Sequence, residues 1–160
     1  MVTIALGSNK GNRHKHLKEA GRFLSKLSKE KVEKSAVYLT EPVGHSTRYF
    51  LNATADIVVD LSPEDLIIQF KQYEKEHGRV LSHSRWGPRT IDLDIISFGD
   101  LVINTDSLVI PHVEYNKRLF VLMPLLDLHP DWKDPKTNKS IQQMIEEAES
   151  LQIKKTHLDW

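Results

Sequence analysis

The residues with the clearest chemical potential in this chain are Asp92 and Asp94, separated only by Leu93. Ile91 to Phe98 reads as a strand, in which successive side chains point to opposite faces, so the two carboxylates point the same way. Ile91, Leu93 and Ile95 then face the other side. Two carboxylates about 7 Å apart on one strand face can reach a shared pair of hard cations. Mg²⁺ prefers carboxylate, water and phosphate oxygens. Two such ions roughly 3.5–4 Å apart would screen a polyphosphate and position both an attacking and a leaving oxygen. Taken alone, Asp-x-Asp also describes two solvent-facing aspartates on an edge strand. The preceding residues favour the chemical reading, because Arg85 and Arg89 flank a Trp86-Gly87-Pro88 turn. Guanidinium forks suit phosphate oxygens and stabilise charge on a transferring phosphoryl group. Arg79, His112 and Arg118 are further candidates in loops or near helix ends.

A second group could hold a flat, polar ring. Thr40-Glu41-Pro42-Val43-Gly44 and Phe50-Leu51-Asn52 flank one loop, and Phe120 lies downstream. A heterocycle needs aromatic faces for stacking and amide groups for its edge. Asn52 offers donor and acceptor together, although Phe50 and Phe120 would serve equally as core. Gly7-Ser8-Asn9-Lys10-Gly11-Asn12 lacks the Gly-Lys-Ser/Thr ending of a P-loop and does not fit G-x-G-x-x-G. It reads as a turn followed by a helix cap. The 8 histidines show no close zinc spacing, and the absence of cysteine excludes disulfides, thiolate sites and cysteine nucleophiles.

The elements that must position these residues can be placed in order. Val2 to Leu6 is a short strand, and Asn12 caps a helix carrying Leu17, Ala20, Leu24 and Leu27. Val32 to Leu39 reads as a second strand. Phe50 to Val59 alternates, with Leu51, Ala53, Ala55, Ile57 and Val59 on one face. Ser62-Pro63-Glu64-Asp65 starts a helix presenting Leu66, Phe70 and Tyr73, and Gly78 ends it. Arg79 to Thr90 reads as a polar loop before the aspartate strand. Gly99-Asp100 would turn that strand back into Leu101-Val102-Ile103 as a hairpin. A helix holding Phe120, Val121 and Leu122 follows Pro111-His112, and Ser140-Ile141-Gln142-Gln143 opens the last one as a capping box. The order is β-α-β-β-α-β plus a C-terminal hairpin strand and extra helices. That predicts an α+β fold of ferredoxin-like type, an antiparallel sheet with helices on one face, in a single domain over residues 1–160.

Lys plus Arg number 22 and Asp plus Glu number 22. A chain working on nucleic acid or an anionic membrane usually carries a basic excess, so neither partner is expected. The N-terminal apolar run is too short for a signal peptide, and no run approaches the ~20 residues of a membrane span. A soluble cytoplasmic protein, working as a monomer, is expected.

Several stretches together resemble the 6-hydroxymethyl-7,8-dihydropterin pyrophosphokinase family. They are Leu6-Gly7-Ser8-Asn9, Phe50-Leu51-Asn52, Gly78-Arg79, Arg85-Trp86-Gly87-Pro88-Arg89-Thr90-Ile91-Asp92-Leu93-Asp94-Ile95, Ile110-Pro111-His112 and Arg118 to Leu125. The resemblance implies transfer of pyrophosphate from ATP to a pterin hydroxymethyl group, with release of AMP, in folate synthesis. It implies that Asp92 and Asp94 hold two Mg²⁺ ions and act with Arg79 and Arg89 in catalysis. Glu74, Arg79, Arg85, Trp86, Arg89, Ile95, His112 and Arg118 would lie along the ATP. Thr40, Val43, Phe50, Asn52, Trp86 and Phe120 would surround the pterin. Trp86 sits on a loop that in the family closes over substrates. Ser107 and Val113 stand where the family often has Arg and Tyr, Glu41 replaces a Pro, and residues 80–84 lack the usual basic side chains. A two-metal hydrolase and an inactive binding module are the alternatives. Acceptor-independent hydrolysis of ATP would mark the first, and absence of turnover the second.

Overall fold

β1 (Val2–Ser8) runs through the middle of the molecule with Val2, Ile4 and Leu6 buried on one face. The computed structural model describes residues 1–42, 47–78 and 89–160. α1 (Arg13–Leu27) starts where the Asn12 side chain accepts the N–H of Lys15, 3.0 Å away. Its buried residues Leu17, Ala20, Gly21 and Leu24 follow helical spacing. β2 (Glu33–Lys34), β3 (Tyr38–Thr40) and β4 (Phe50–Ile57) follow. α2 (Pro63–Glu76) begins as expected, with Ser62 accepting the N–H of Asp65 at 3.1 Å and Pro63 in the first turn. β5 (Asp92–Phe98) carries the aspartates.

Beyond β5 come β6 (Ile103–Asn104), β7 (Val109–Ile110), a 3₁₀ turn at Tyr115–Lys117, α3 (Leu119–Leu128), α4 (Ile141–Glu147) and β8 (Ile153–Lys155). Ser140 and Gln143 form the expected capping box at the start of α4. The main sheet has the order β5-β1-β4-β3-β8, with β2 also paired to β4 and all described pairings antiparallel. Taking β2 and β3 as two parts of one strand, the central order is fourth, first, third, second. This is the ferredoxin-like arrangement the element order predicts.

Hydrophobic residues pack on both faces of the sheet. On one, α1 and α2 cover Ile4, Leu6, Leu51, Ala53, Ala55, Leu93 and Ile95. On the other, Val121, Leu122 and Leu125 of α3 and Ile141 and Met144 of α4 pack with Ile96 and Ala5. The expectation of helices on a single face is therefore corrected, because the extra helices close the second face. Asp92, Asp94, Ala5 and Asn52 lie on that second face.

Three further expectations change. Val32 to Leu39 is not one strand. Ser35 offers its side-chain oxygen to the Thr54 N–H at 2.9 Å, and the Ala36 N–H turns to Asp127 at 3.1 Å, which breaks the ladder. The strand from Phe50 stops at Ile57 because Val58 instead serves the end of α1. Its carbonyl accepts from Lys29 and its N–H donates to the Ser28 hydroxyl. The turn at Gly99 exists, with φ of 53°, but it docks on the start of β1 through a 2.8 Å bond from the Gly99 N–H to the Met1 carbonyl. Ile103 pairs with Ile110 and not with β5, so the hairpin is β6–β7. β8, pairing with β3, is a strand that local pattern does not announce.

Candidate active site

The site is assembled where β1 ends and β5 begins. Ser8 and Asn9 are buried, and both reach across to the residues that precede β5. The Asn9 N–H donates to the Arg89 carbonyl at 3.0 Å, and its side-chain oxygen accepts the Arg89 N–H at 2.7 Å. The Ser8 hydroxyl donates to the Thr90 carbonyl at 2.5 Å. This clasp fixes the backbone from which the Arg89 guanidinium pairs with Asp92. The glycine-rich turn is thus a cap for α1, as expected, and also a backbone anchor for Arg89.

Asp92 and Asp94 are both partly buried on the face shared with Ala5. Burial, followed by the charge of Asp92, pushes the Asp94 carboxyl up to about 6, while Lys71, Arg118 and Arg89 draw it down. His112 is held low, mainly by burial and then by Arg118, with Asp92 and Glu114 acting the other way. The His112 backbone N–H donates to the Ile96 carbonyl at 3.2 Å, which ties the segment after β7 to the outer side of β5. The electrostatics therefore place Asp92, Asp94, Arg89, His112 and Arg118 in one field. Lys71, absent from the sequence-based set, belongs to it. Lys71, Asp94, Ile95, Ser107, Val109 and His112 line a cavity of about 240 Å³.

Glu74 has no solvent exposure. Its Oε1 accepts the N–H of Leu93 at 2.8 Å and its Oε2 lies 3.2 Å from the Lys71 ammonium. It holds the backbone between the two aspartates.

The ring-binding candidates sit further along the same face. The sheet register aligns Asp92, Gly7, Asn52 and Tyr38 in one row, which puts Asn52 two strands, roughly 10 Å, from Asp92. The Asn52 side-chain N–H donates to the Thr40 hydroxyl at 2.8 Å, and both residues are buried. A Cβ on Gly7 would stand 3.2 Å from the Asn52 oxygen, so glycine leaves that amide its place. Phe50 is half-buried, one alternation from Asn52. Phe120 is half-buried at the start of α3, with the Arg118 guanidinium 5.8 Å from its ring centroid. Arg79, Arg85, Trp86 and Val43 lie outside the described residues.

Two residues escaped the sequence reading for different reasons. Lys71 stands three before Glu74, a spacing that joins side chains on a helix, so a local signal existed. The clasp by Asn9 joins residues eighty positions apart and has no local signal.

Comparison with solved structures places the chain in a structural class. A crystal structure of Plasmodium falciparum HPPK-DHPS superposes with a TM-score of 0.71, covering 91% of this chain and 44% of that one. At 17% identity this likeness shows the fold. The sequence relationship is more specific. The family model for 7,8-dihydro-6-hydroxymethylpterin-pyrophosphokinase (HPPK) matches residues 3–130, and the chain belongs to that family. A 2-amino-4-hydroxy-6-hydroxymethyldihydropteridine pyrophosphokinase of Bacillus subtilis is 42% identical over 127 residues, covering 78% of this chain and 75% of that protein. The folate synthesis bifunctional protein of Arabidopsis thaliana is 46% identical over 129 residues, covering 79% of this chain. The chain aligns with only 26% of that protein, and with 21% of the folic acid synthesis protein of Pneumocystis carinii.

Proposed function

We propose that the chain transfers the terminal pyrophosphoryl group of ATP to the hydroxymethyl oxygen of 6-hydroxymethyl-7,8-dihydropterin in folate biosynthesis. The observation that carries this reading is the gathering of Asp92, Asp94, Arg89 and Arg118 at the head of β5 in a member of this family. The hydroxymethyl oxygen attacks the β-phosphorus and releases its proton to solvent, the bond to the bridging oxygen of the α-phosphate breaks, and AMP leaves with that oxygen. Arg89 and Arg118 offset the charge that develops on the transferred group.

The residues present suit magnesium. Asp92 and Asp94 are two carboxylates on one strand face, and burial plus mutual repulsion raises the pKa of one of them. Among the described residues no group of three or more His, Cys, Asp or Glu could hold a metal ion by itself, so a cation on the two aspartates would draw the rest of its shell from water and substrate. Mg²⁺ is commonly held by one or two carboxylates, with waters and substrate phosphate completing its shell. Two such ions would be held by Asp92 and Asp94 and would neutralise the polyphosphate.

ATP would occupy the side of Ile95, His112 and Arg118, with Glu74 fixing the strand beneath it. Thr40, Phe50, Asn52 and Phe120 would take the pterin. Arg79, Arg85, Trp86 and Val43 complete the proposed set. No helix among the described residues is long and apolar enough to cross a membrane. Residues 1–160 are taken to work as one domain, as a monomer and in the cytoplasm. A cysteine-free sequence is compatible with a reducing cytoplasm. The test is a product assay with ATP, Mg²⁺ and the hydroxymethyl pterin. AMP formed only when the pterin is present is expected, whereas hydrolysis without it would overturn the reading in favour of a hydrolase.

A further inference from the structure

Lys71 stands on α2 with one side toward a buried carboxylate and the other toward the cavity. Its ammonium lies 3.2 Å from Glu74 Oε2, with the Lys side chain 53% exposed and the Glu side chain fully buried. An ordinary pair at this helical spacing, with both partners in water, contributes only about 0.2–0.5 kcal/mol. This pair differs because a carboxylate without solvent exposure needs compensating donors and charge. The other Glu74 oxygen accepts the N–H of Leu93 at 2.8 Å. Leu93 separates Asp92 from Asp94, and β5 is one of the two edge strands of the sheet among the described residues. An edge strand's outward N–H groups lack a neighbouring strand, so Glu74 replaces one here and fixes the strand between the two aspartates. The same Lys71 side chain lines the cavity of about 240 Å³ with Asp94 and His112.

We propose that Lys71 is a positioning residue with two tasks: it neutralises Glu74, so that Glu74 pins the Asp92–Asp94 strand, and it presents a cation to the phosphate tail of the nucleotide. The second task rests on the function proposed above, while the first does not. A half-exposed ammonium can serve both partners because its three N–H donors radiate in different directions.

The test uses the full chain with Lys71→Met, Lys71→Arg and the double variant Lys71→Met/Glu74→Gln. Hydrogen exchange at the Leu93 amide, without ligands, reads the first task, and steady-state kinetics with ATP read the second. Losing a hydrogen bond to a charged group corresponds to at least about a tenfold effect. Lys71→Met is therefore expected to exchange the Leu93 amide about tenfold faster and to raise KM for ATP about tenfold, with kcat much less affected. Lys71→Arg should restore both. The double variant keeps a neutral oxygen for Leu93, so it should regain amide protection while KM stays high. If Lys71→Met does not fold, Lys71→Gln takes its place. Unchanged Leu93 exchange in the single variant would overturn the anchoring task, and a double variant with the parent's KM would overturn the nucleotide task. A parent chain that forms no AMP would instead overturn the functional reading, and exchange at Leu93 would still decide the anchor.

Discussion

Asp94 occupies a position that disfavours its own charge, since burial and the neighbouring Asp92 raise its carboxyl to about 6. Bound cations invert that local logic, because they favour the ionised form of every carboxylate they touch. Asp92→Ala and Asp94→Ala are therefore expected to reduce turnover by orders of magnitude with the fold intact. Each removes a ligand from charge stabilisation of several kcal/mol. Activity within about tenfold of the parent at saturating Mg²⁺ would refute the two-ion reading. The same shift has a consequence for stability. A folded carboxyl with a pKa above its ordinary 3.8 retains a proton that the unfolded chain has released. Stability therefore falls as pH rises from about 4 to about 6 and stays lower above that. In Mg²⁺-free buffer, Asp94→Asn should stabilise the chain by roughly 1–3 kcal/mol near pH 7. The gain should vanish below about pH 4, which urea unfolding at several pH values would show. Mg²⁺ affinity should conversely weaken as pH drops through about 6, where protons compete for the same oxygens.

At the scale of elements, β1 joins the two proposed substrate regions, because Gly7 stands in register between Asp92 and Asn52. A methyl group at Gly7 would press on the Asn52 oxygen from 3.2 Å, while Thr40 holds the other end of the same amide. Gly7→Ala is expected to weaken pterin binding about tenfold through a displaced hydrogen-bonding edge, with ATP affinity nearly unchanged. Calorimetric titration of each ligand separates these, and equal losses for both would mean a general distortion. Asn9→Ala should act on catalysis, since it releases the Arg89 backbone. A fall in kcat larger than the rise in either KM is the expected signature, and an unchanged kcat would dismiss the clasp. Much of this frame was legible in the sequence. The caps at Asn12, Ser62 and Ser140 and the alternation along β4 and β5 are local features, and those helices and strands formed close to where the signal lay. What stayed hidden depends on distant partners. Ser35 and Val58 leave their ladders to serve other elements, Gly99 docks on Met1, and β8 gains its strand character only by pairing with β3. The paired aspartates and arginines were visible as types and spacing, whereas the clasp by Asn9 and the burial of Glu74 are products of the fold.

For the molecule as a whole, the sheet is a wall between two apolar clusters; the aspartates and the ring-binding candidates lie on the side of the second, and the cavity beside Lys71 lies at the β5 edge next to α2. Leu17 belongs to the first cluster and Leu125 to the second, both without solvent exposure. Truncating either to Ala leaves a cavity and should cost about 2–5 kcal/mol. The clusters share the strands between them, so unfolding should remain one cooperative transition in both variants. Their functional effects should differ. α3 bears Leu125 in its interior and Phe120 at its start, directly after Arg118. Leu17 packs on the far side of the sheet. In the fraction that remains folded, Leu125→Ala should therefore weaken pterin binding, and Leu17→Ala should leave it near the parent value. Urea unfolding followed by far-ultraviolet circular dichroism and by tryptophan fluorescence tests the cooperativity, with Trp132 packed against the second cluster as reporter. Coincident transitions in both variants, with a pterin defect confined to Leu125→Ala, are expected. Separate transitions in Leu125→Ala would show that α3 and α4 form an independently melting layer, and the site could not then be regarded as part of one cooperative unit.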